Sequence, residues 1–340
     1  MTASLVPLHP LAERLAAMGA VLQGSAVARF GDGEAERRAI AGGSSVHPLG
    51  DEAILRASGT DASSFLQGQF SNDVTLLGTD NAQWTSYCTA QGRVLAMPMA
   101  WKDGADILLW MPAEIATSVA ARLRRYVLRA KVELTDVSGA FVLLGIGGPA
   151  AAPALRAIAD ATPARPMQRT QGSRGETLIM LAAELFIVAS PAAQAAATWE
   201  ALAQRCTPAG EPAWHWRLVH AGIPRLGAAL QDQFVPQMLN LERIGAISFD
   251  KGCYPGQEIV ARSQYLGQVK RRLALLHAER GPARVGQPIV RSDGSTAGTV
   301  VTAAPAPCGG WDVLAVVITD ALEATGLRLD GADGEPVRPG

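Results

Sequence analysis

The chain has 340 residues, 48% hydrophobic and only 18% charged, so it can bury a core of two or three units and is not a disordered chain. Thirty basic residues against 31 acidic ones leave a net charge of −1, which argues against a nucleic-acid coat or a membrane-surface binder and leaves only a local basic patch open. The cysteines Cys88, Cys206, Cys253 and Cys308 form no C-x-x-C pair, so no disulfide framework, zinc site or self-contained iron–sulfur site is expected, and a reducing cytoplasm is.

In chain order, Leu11, Leu15, Met18 and Leu22 are spaced for an amphipathic helix over residues 9–22. The opening residues have no basic n-region, so no secretory leader is expected. "GDGEAERRAIAGGSS" reads as a loop or linker. A short strand ends near Arg56, and a helix capped by Thr60 or Asp61 runs to about Gly68. From Ala82 to Pro112 strands alternate with turns at Gln91-Gly92 and Asp103-Gly104. Residues 113–130 predict a basic amphipathic helix, and "FVLLGIGGPAAAPALRAIA" a strand, a glycine turn and a helix. A second strand-and-helix stretch starts at "TLIMLAAELFIVAS". Gly148-Pro149 and Glu184 interrupt the most apolar stretches, so no membrane span is expected. Short strand candidates separated by Gly, Pro and Asp-Gly turns follow Lys270 and predict a small antiparallel barrel or sandwich. The mixture without a strict βαβ rhythm favours an α+β class.

Most polar features have plain readings. The glycine turn at Gly145–Leu155 lacks the full dinucleotide or P-loop pattern and reads as a strand-to-helix turn. Arg122, Arg124, Arg125, Arg129 and Lys131 suit a solvated helical face better than a dock for phosphates or RNA. His215 and His220 stand at i, i+5, not the spacing of a helical metal pair, and no metal site is expected. "FDKGCYPGQEIVAR", Phe249–Arg262, is denser. Lys251, two residues before Cys253, would stabilise a thiolate. Gly252 and Gly256 permit unusual backbone angles, and Glu258 offers a bidentate acceptor for adjacent N–H donors such as a pterin or guanine edge. A buried structural cysteine in a tight turn, with Glu258 paired to Arg262, explains the same residues equally well.

"F-x-P-Q-x-x-N-L" at Phe234–Leu241, then "I-S-F-D-K-G-C-Y-P-G-Q-E-I-V-A-R" at Ile247–Arg262 and "Y-L-G-x-V-K-R-x-L" at Tyr265–Leu273, resemble the YgfZ family of folate-binding proteins, relatives of the aminomethyltransferase (T protein) of the glycine cleavage system. "FLQGQFSNDV", "YCTAQGRVLA" and "RLVHAGIPRLG" fit in the same order, so the resemblance covers roughly His47 onward. It implies a folate-binding α+β domain of two mixed α/β halves followed by a small C-terminal antiparallel β-barrel. The corresponding division is residues 1–45 as N-terminal helix and linker, 46–268 as folate-binding domain and 269–340 as barrel. The middle part has an alternative split into 46–134 plus 205–268, with 135–204 a ferredoxin-like subdomain.

The resemblance also implies a role supporting assembly, maturation or repair of iron–sulfur enzymes in the cytoplasm, with effects on a tRNA-modifying enzyme of that kind. Partners would be iron–sulfur proteins or their assembly factors, with neither membrane nor direct nucleic-acid binding. Cys253 would be the functional thiol and Lys251 its activator. For tetrahydrofolate or a one-carbon derivative, Tyr254 and Trp84 are candidates to flank the pterin and Arg93, Arg217 and Arg262 to bind its carboxylates; Gln257 and Glu258 would support the loop or face the ligand, and Asn72 is a further binding candidate. The relatives' catalytic aspartate follows a glycine turn where this chain has Ala96 and Met97, which argues against aminomethyl transfer. Two alternatives stand beside this reading: a one-carbon transferase acting on an unknown acceptor without that aspartate, and a docking protein whose folate is only structural.

Overall fold

A computed structural model describes residues 11–31, 33–265, 269–322, 326–331 and 333–340. His9 and Pro10 of the expected first helix, and Leu266 and Gly267 of the last family motif, lie outside the described residues. The chain divides into two units, each built from two separate segments: residues 1–52 with 136–217, and residues 53–135 with 218–340.

The first unit begins with α1 (Ala12–Ala17), which buries Leu15. It is shorter than the expected helix because Gly19, at φ 87°, turns the chain into β1 (Ala20–Gln23), antiparallel to β2 (Ala26–Phe30). The stretch expected to be a linker contains α2 (Gly33–Gly42). Its Glu36 is buried and accepts from the Phe30 and Gly210 amides, while Ile40 packs against Ala209 and Ala213. β3 (Ser45–Leu49) follows and is buried throughout.

The second unit opens within β4 (Glu52–Ser58), from Ala53 onward, and continues with α3 (Ala62–Gln67). Asp61 stands at the N-cap, but its carboxylate accepts from the Lys131 amide rather than capping the helix. Then come β5 (Ala82–Trp84), β6 (Tyr87–Cys88), β7 (Val94–Ala96), β8 (Met99–Asp103), β9 (Asp106–Pro112), α4 (Ala113–Arg124) and β10 (Glu133–Asp136). The strand order β10-β4-β9-β8-β5 makes a sheet on which Ile115, Val119 and Leu123 of α4 join Phe65, Leu66 and Leu109 in one core. α4 ends well before the expected residue 130, because the chain turns after Arg124, and Leu128 takes φ 42°.

Back in the first unit, β11 (Phe141–Gly147), α5 (Ala151–Leu155), β12 (Arg169–Gln171), β13 (Thr177–Ala182), β14 (Leu185–Pro191), α6 (Ala195–Ala203), β15 (Thr207–Pro208) and α7 (Glu211–His220) follow; residues of α7 as far as Arg217 belong to this unit. Its sheet runs β12-β13-β14-β11-β3-β15, antiparallel except for β15 beside β3. Trp199, Phe186 and Leu144 centre its core. The glycines read as a strand-to-helix turn serve close packing: a Cβ on Gly145 would lie 2.4 Å from the Trp214 ring, and one on Gly147 2.4 Å from Arg217 Cδ.

The second unit resumes with α8 (Gln257–Tyr265), β16 (Arg271–Ala278), β17 (Pro288–Val290), β18 (Thr296–Pro305), β19 (Trp311–Ile318), α9 (Thr319–Leu322), β20 (Arg328–Leu329) and β21 (Val337–Pro339). The sheet β20-β17-β18-β19-β16-β21 curls into a nearly closed antiparallel barrel, with an Arg328–Pro336 bridge between its ends. Alternate residues Val313, Ala315 and Val317 of β19 point into its core with Leu276, Ile289 and Val300. Among the described residues, no helix is long and apolar enough to cross a membrane.

Candidate functional site

The motif Phe234–Leu241 is scaffolding. A tight turn at Pro236–Leu239 ends on Asn240 in the left-handed region, at φ 54°, which asparagine tolerates better than most residues. Asn240 Nδ2 donates to the Leu273 carbonyl of β16 at 2.9 Å. Gln237 is fully buried and donates to the Val260 carbonyl of α8 at 2.6 Å. One turn therefore holds both the barrel strand and the helix that follows the Cys253 loop.

The chain from Gly245 to Lys251 is stitched to residues 67–73. Ser71 Oγ donates to the Ala246 carbonyl, the Ser248 amide donates to the Ser71 carbonyl, and Asn72 Nδ2 donates to the carbonyls of Gly245 and Trp84. Lys251 completes the seam. Its ammonium is buried and donates to the carbonyls of Gln67 at 2.5 Å, Phe70 at 2.5 Å and Asn72 at 3.0 Å. All three N–H donors of an ammonium are thereby used. Burial pulls its pKa down to about 8, partly opposed by the Asp73 carboxylate. With those donors committed to the main chain, none is left for Cys253.

Cys253 is exposed, and Tyr254 beside it is buried with its ring centroid 5.3 Å from Lys251 Nζ. Burial raises the Tyr254 pKa, so its hydroxyl stays neutral. The next turn packs against the Gln91-Gly92 turn. A Cβ on Gly256, at φ 82°, would lie 2.4 Å from the Thr89 carbonyl, and one on Gly92, at φ 70°, 3.0 Å from Ile259 Cβ. Only glycine permits this back-to-back approach of two turns. Cys88 and Cys206 are buried, and burial pushes Cys88 up to about 12; they are inert thiols.

The other expected site residues divide into groups. Gln257 is half-buried at the start of α8, while Glu258 and Arg262 are exposed on it, with no ion pair between the two. Arg93 is exposed and donates from one Nη to the Gln233 carbonyl. Trp84 is buried against Trp110, ring centroids 5.6 Å apart, and Asn72 is occupied by the seam. Arg217 belongs to the first unit and is used within it, donating to Ser45 Oγ and to the Gly43 carbonyl. Ala96 and Met97 are buried, Ala96 in the core with Leu95 and Ala100.

Sequence reasoning missed the carbonyls of Gln67, Phe70 and Asn72, because main-chain acceptors carry no residue signature. Gln237 and Asn240 were findable, as two amides between apolar residues in a motif already singled out.

The solved structure of glycine cleavage system aminomethyltransferase T from Bartonella henselae superposes with a TM-score of 0.80, covering 98% of this chain and 96% of that one at 18% identity. The fold is therefore that of the aminomethyltransferase class, mixed α/β with a C-terminal barrel. The family model of the GCVT N-terminal domain matches residues 33–251. A relative from Edwardsiella ictaluri named tRNA-modifying protein YgfZ is 33% identical over 294 residues, 83% of this chain and 86% of the relative. Another of that name from Yersinia pseudotuberculosis is 31% identical over 287 residues, with 83% and 86% coverage. The chain belongs to the YgfZ family of GCVT-domain proteins.

Proposed function

We propose that this protein binds tetrahydrofolate or a one-carbon derivative and supports iron–sulfur enzymes, including one that modifies tRNA, through the thiol of Cys253. The observation that carries this reading is the construction of the loop. Cys253 is exposed in a segment in which Lys251, Tyr254 and Gly256 are fixed by buried contacts. A connector needs no such anchoring. The relatives' name supports the link to tRNA modification. Buried Ala96 and Met97 supply no carboxylate for aminomethyl transfer.

For folate, exposed Glu258 would accept from the pterin N–H edge, and exposed Arg93 and Arg262 would bind the glutamate carboxylates. Gln257 supports the same end of α8. Tyr254, Trp84 and Asn72 would shape the site from beneath, and Arg217, used within its own unit, ranks below the other two arginines. A cluster needs about four thiolate ligands, so any contact of Cys253 with one is shared with the client protein.

The test is complementation of a deletion strain under oxidative stress, reading the activity of an iron–sulfur tRNA thiomethylation enzyme. Cys253→Ser should fail to restore it; full restoration removes the thiol from the proposal. Calorimetric titration with tetrahydrofolate should show one saturable site, weakened at least tenfold in Glu258→Ala/Arg93→Ala. Absence of saturation removes folate. Turnover of methylene-tetrahydrofolate without any partner protein would favour a one-carbon transferase instead.

A further inference from the structure

The first unit holds a polar cluster unrelated to the Cys253 loop. Glu211 and His215 stand at i, i+4 on α7, hence on one face, and Asp51 comes from the turn between β3 and β4. One ligand atom from each lies within 4.8 Å of the other two. The histidine spacing considered from sequence, His215 with His220, concealed this set, because the matching partner is the glutamate one turn earlier and an aspartate 160 residues away in sequence (Asp51 to Glu211, 211 − 51).

Glu211 is 2% exposed. Its Oε1 accepts from the Val27 amide at 3.0 Å and the Gly50 amide at 2.8 Å. Its Oε2 is buried, and no hydrogen-bond donor reaches it. The neighbour on that side is the Asp51 carboxyl. Two carboxylates cannot bond to each other, so a positive particle belongs between them. Without a metal that particle is a proton shared between the two carboxyl groups. With His215 Nε2 3.9 Å from Asp51 Oδ2, the cluster supplies two oxygen donors and one imidazole. The side chains of Asp51 and His215 are 32% and 20% exposed, so an ion has a route in from solvent.

We propose that Asp51, Glu211 and His215 form a binding site for a divalent transition-metal ion of the zinc class. One imidazole with two carboxylates is a donor set that zinc accepts; the ion displaces the shared proton to solvent, and the resulting charge of −2 with neutral histidine favours a dication. Tetrahedral ligand distances of about 2.0–2.2 Å require donor atoms roughly 3.3–3.6 Å apart. Closing the set from its present span, within 4.8 Å, takes a shift of up to about 1.5 Å, which the partly exposed Asp51 and His215 side chains allow. Because Glu211 Oε1 holds β2 and the β3–β4 turn, the ion would also stiffen this corner of the unit.

The experiment uses the full chain in a Cys253→Ser/Cys308→Ser background, which removes the exposed thiols, after stripping with a chelator. Cobalt(II) chloride is titrated by visible absorption and zinc chloride by calorimetry. One equivalent of each should bind. His215→Ala and Asp51→Asn should each weaken binding at least tenfold, with folding checked by circular dichroism; if one variant fails to fold, the other decides. Zinc should raise the melting temperature of the background protein more than that of His215→Ala at the same concentration, since stabilisation follows the affinity of the folded state. Absence of saturable uptake overturns the proposal and leaves a proton between the carboxyls. Undiminished affinity in the folded variants also overturns it and places the ion elsewhere, for instance at Asp312 between His220 and His277.

Discussion

Lys251 and His47 show how burial changes what an ionisable residue does. Lys251 would stabilise a neighbouring thiolate if its ammonium were mobile; instead three carbonyls hold it, and it acts first as a rivet between two segments. His47 is fully buried, with Nδ1 against the Gly210 carbonyl and Nε2 against Ser45 Oγ. Burial, and then the Arg217 charge, pull its pKa from 6.5 down to about 3. The unfolded chain takes up a proton below pH 6.5 and the folded one only near 3, so stability present above pH 6.5 is lost as pH falls through that window. Wild type should lose about 2 kcal/mol between pH 6.5 and 5 from this group. His47→Gln should be less stable at neutral pH and show a shallower acid limb in urea melts. An equally steep limb would assign the effect to other groups. None of this was legible in "SVHPL", where the histidine carries no sign of its burial.

At the scale of elements, glycine positions were legible as turns, and their reasons were not. Gly92 and Gly256 each looked like a local turn signal; the fold makes them two halves of one contact. Gly256→Ala should destabilise by about 1–3 kcal/mol, from strain at positive φ and the clash with the Thr89 carbonyl. Gly252→Ala, where a Cβ meets nothing within 4 Å, should stay within about 0.5 kcal/mol of wild type. Equal effects in urea titrations would refute the contact. The misread elements have equally local causes. The polar, glycine-flanked sequence of α2 resembles a linker because its buried contacts come through Glu36 and Ile40 rather than an apolar stripe. The basic run after Leu123 continues the helical pattern in sequence, but Arg124 turns back to donate to the Leu134 carbonyl.

At the scale of the molecule, each unit draws on two distant segments. In the first, β3 lies between β11 and β15, although nearly 100 residues separate it from β11 in sequence (Ser45 to Phe141). A chain divided into fragments 1–135 and 136–340 should therefore yield two fragments, neither of which melts alone as the intact chain does. Coexpressed, they should copurify and recover a cooperative melt. A fragment 136–340 that melts alone at the wild-type temperature would show that β3 is dispensable.

The sequence alone determined the α+β class, the C-terminal barrel and the family, and singled out the Cys253 loop as a candidate site, because these rest on local periodicity, turn residues and a long contiguous motif. The tertiary structure decided what depends on residues far apart in the chain. It set which carbonyls hold Lys251, why two glycine turns must be glycine, and where Arg217 is used. It also joined Asp51 to Glu211 and His215, since the energy of a buried polar group is set by the partners the fold delivers, and those partners are not its neighbours in sequence.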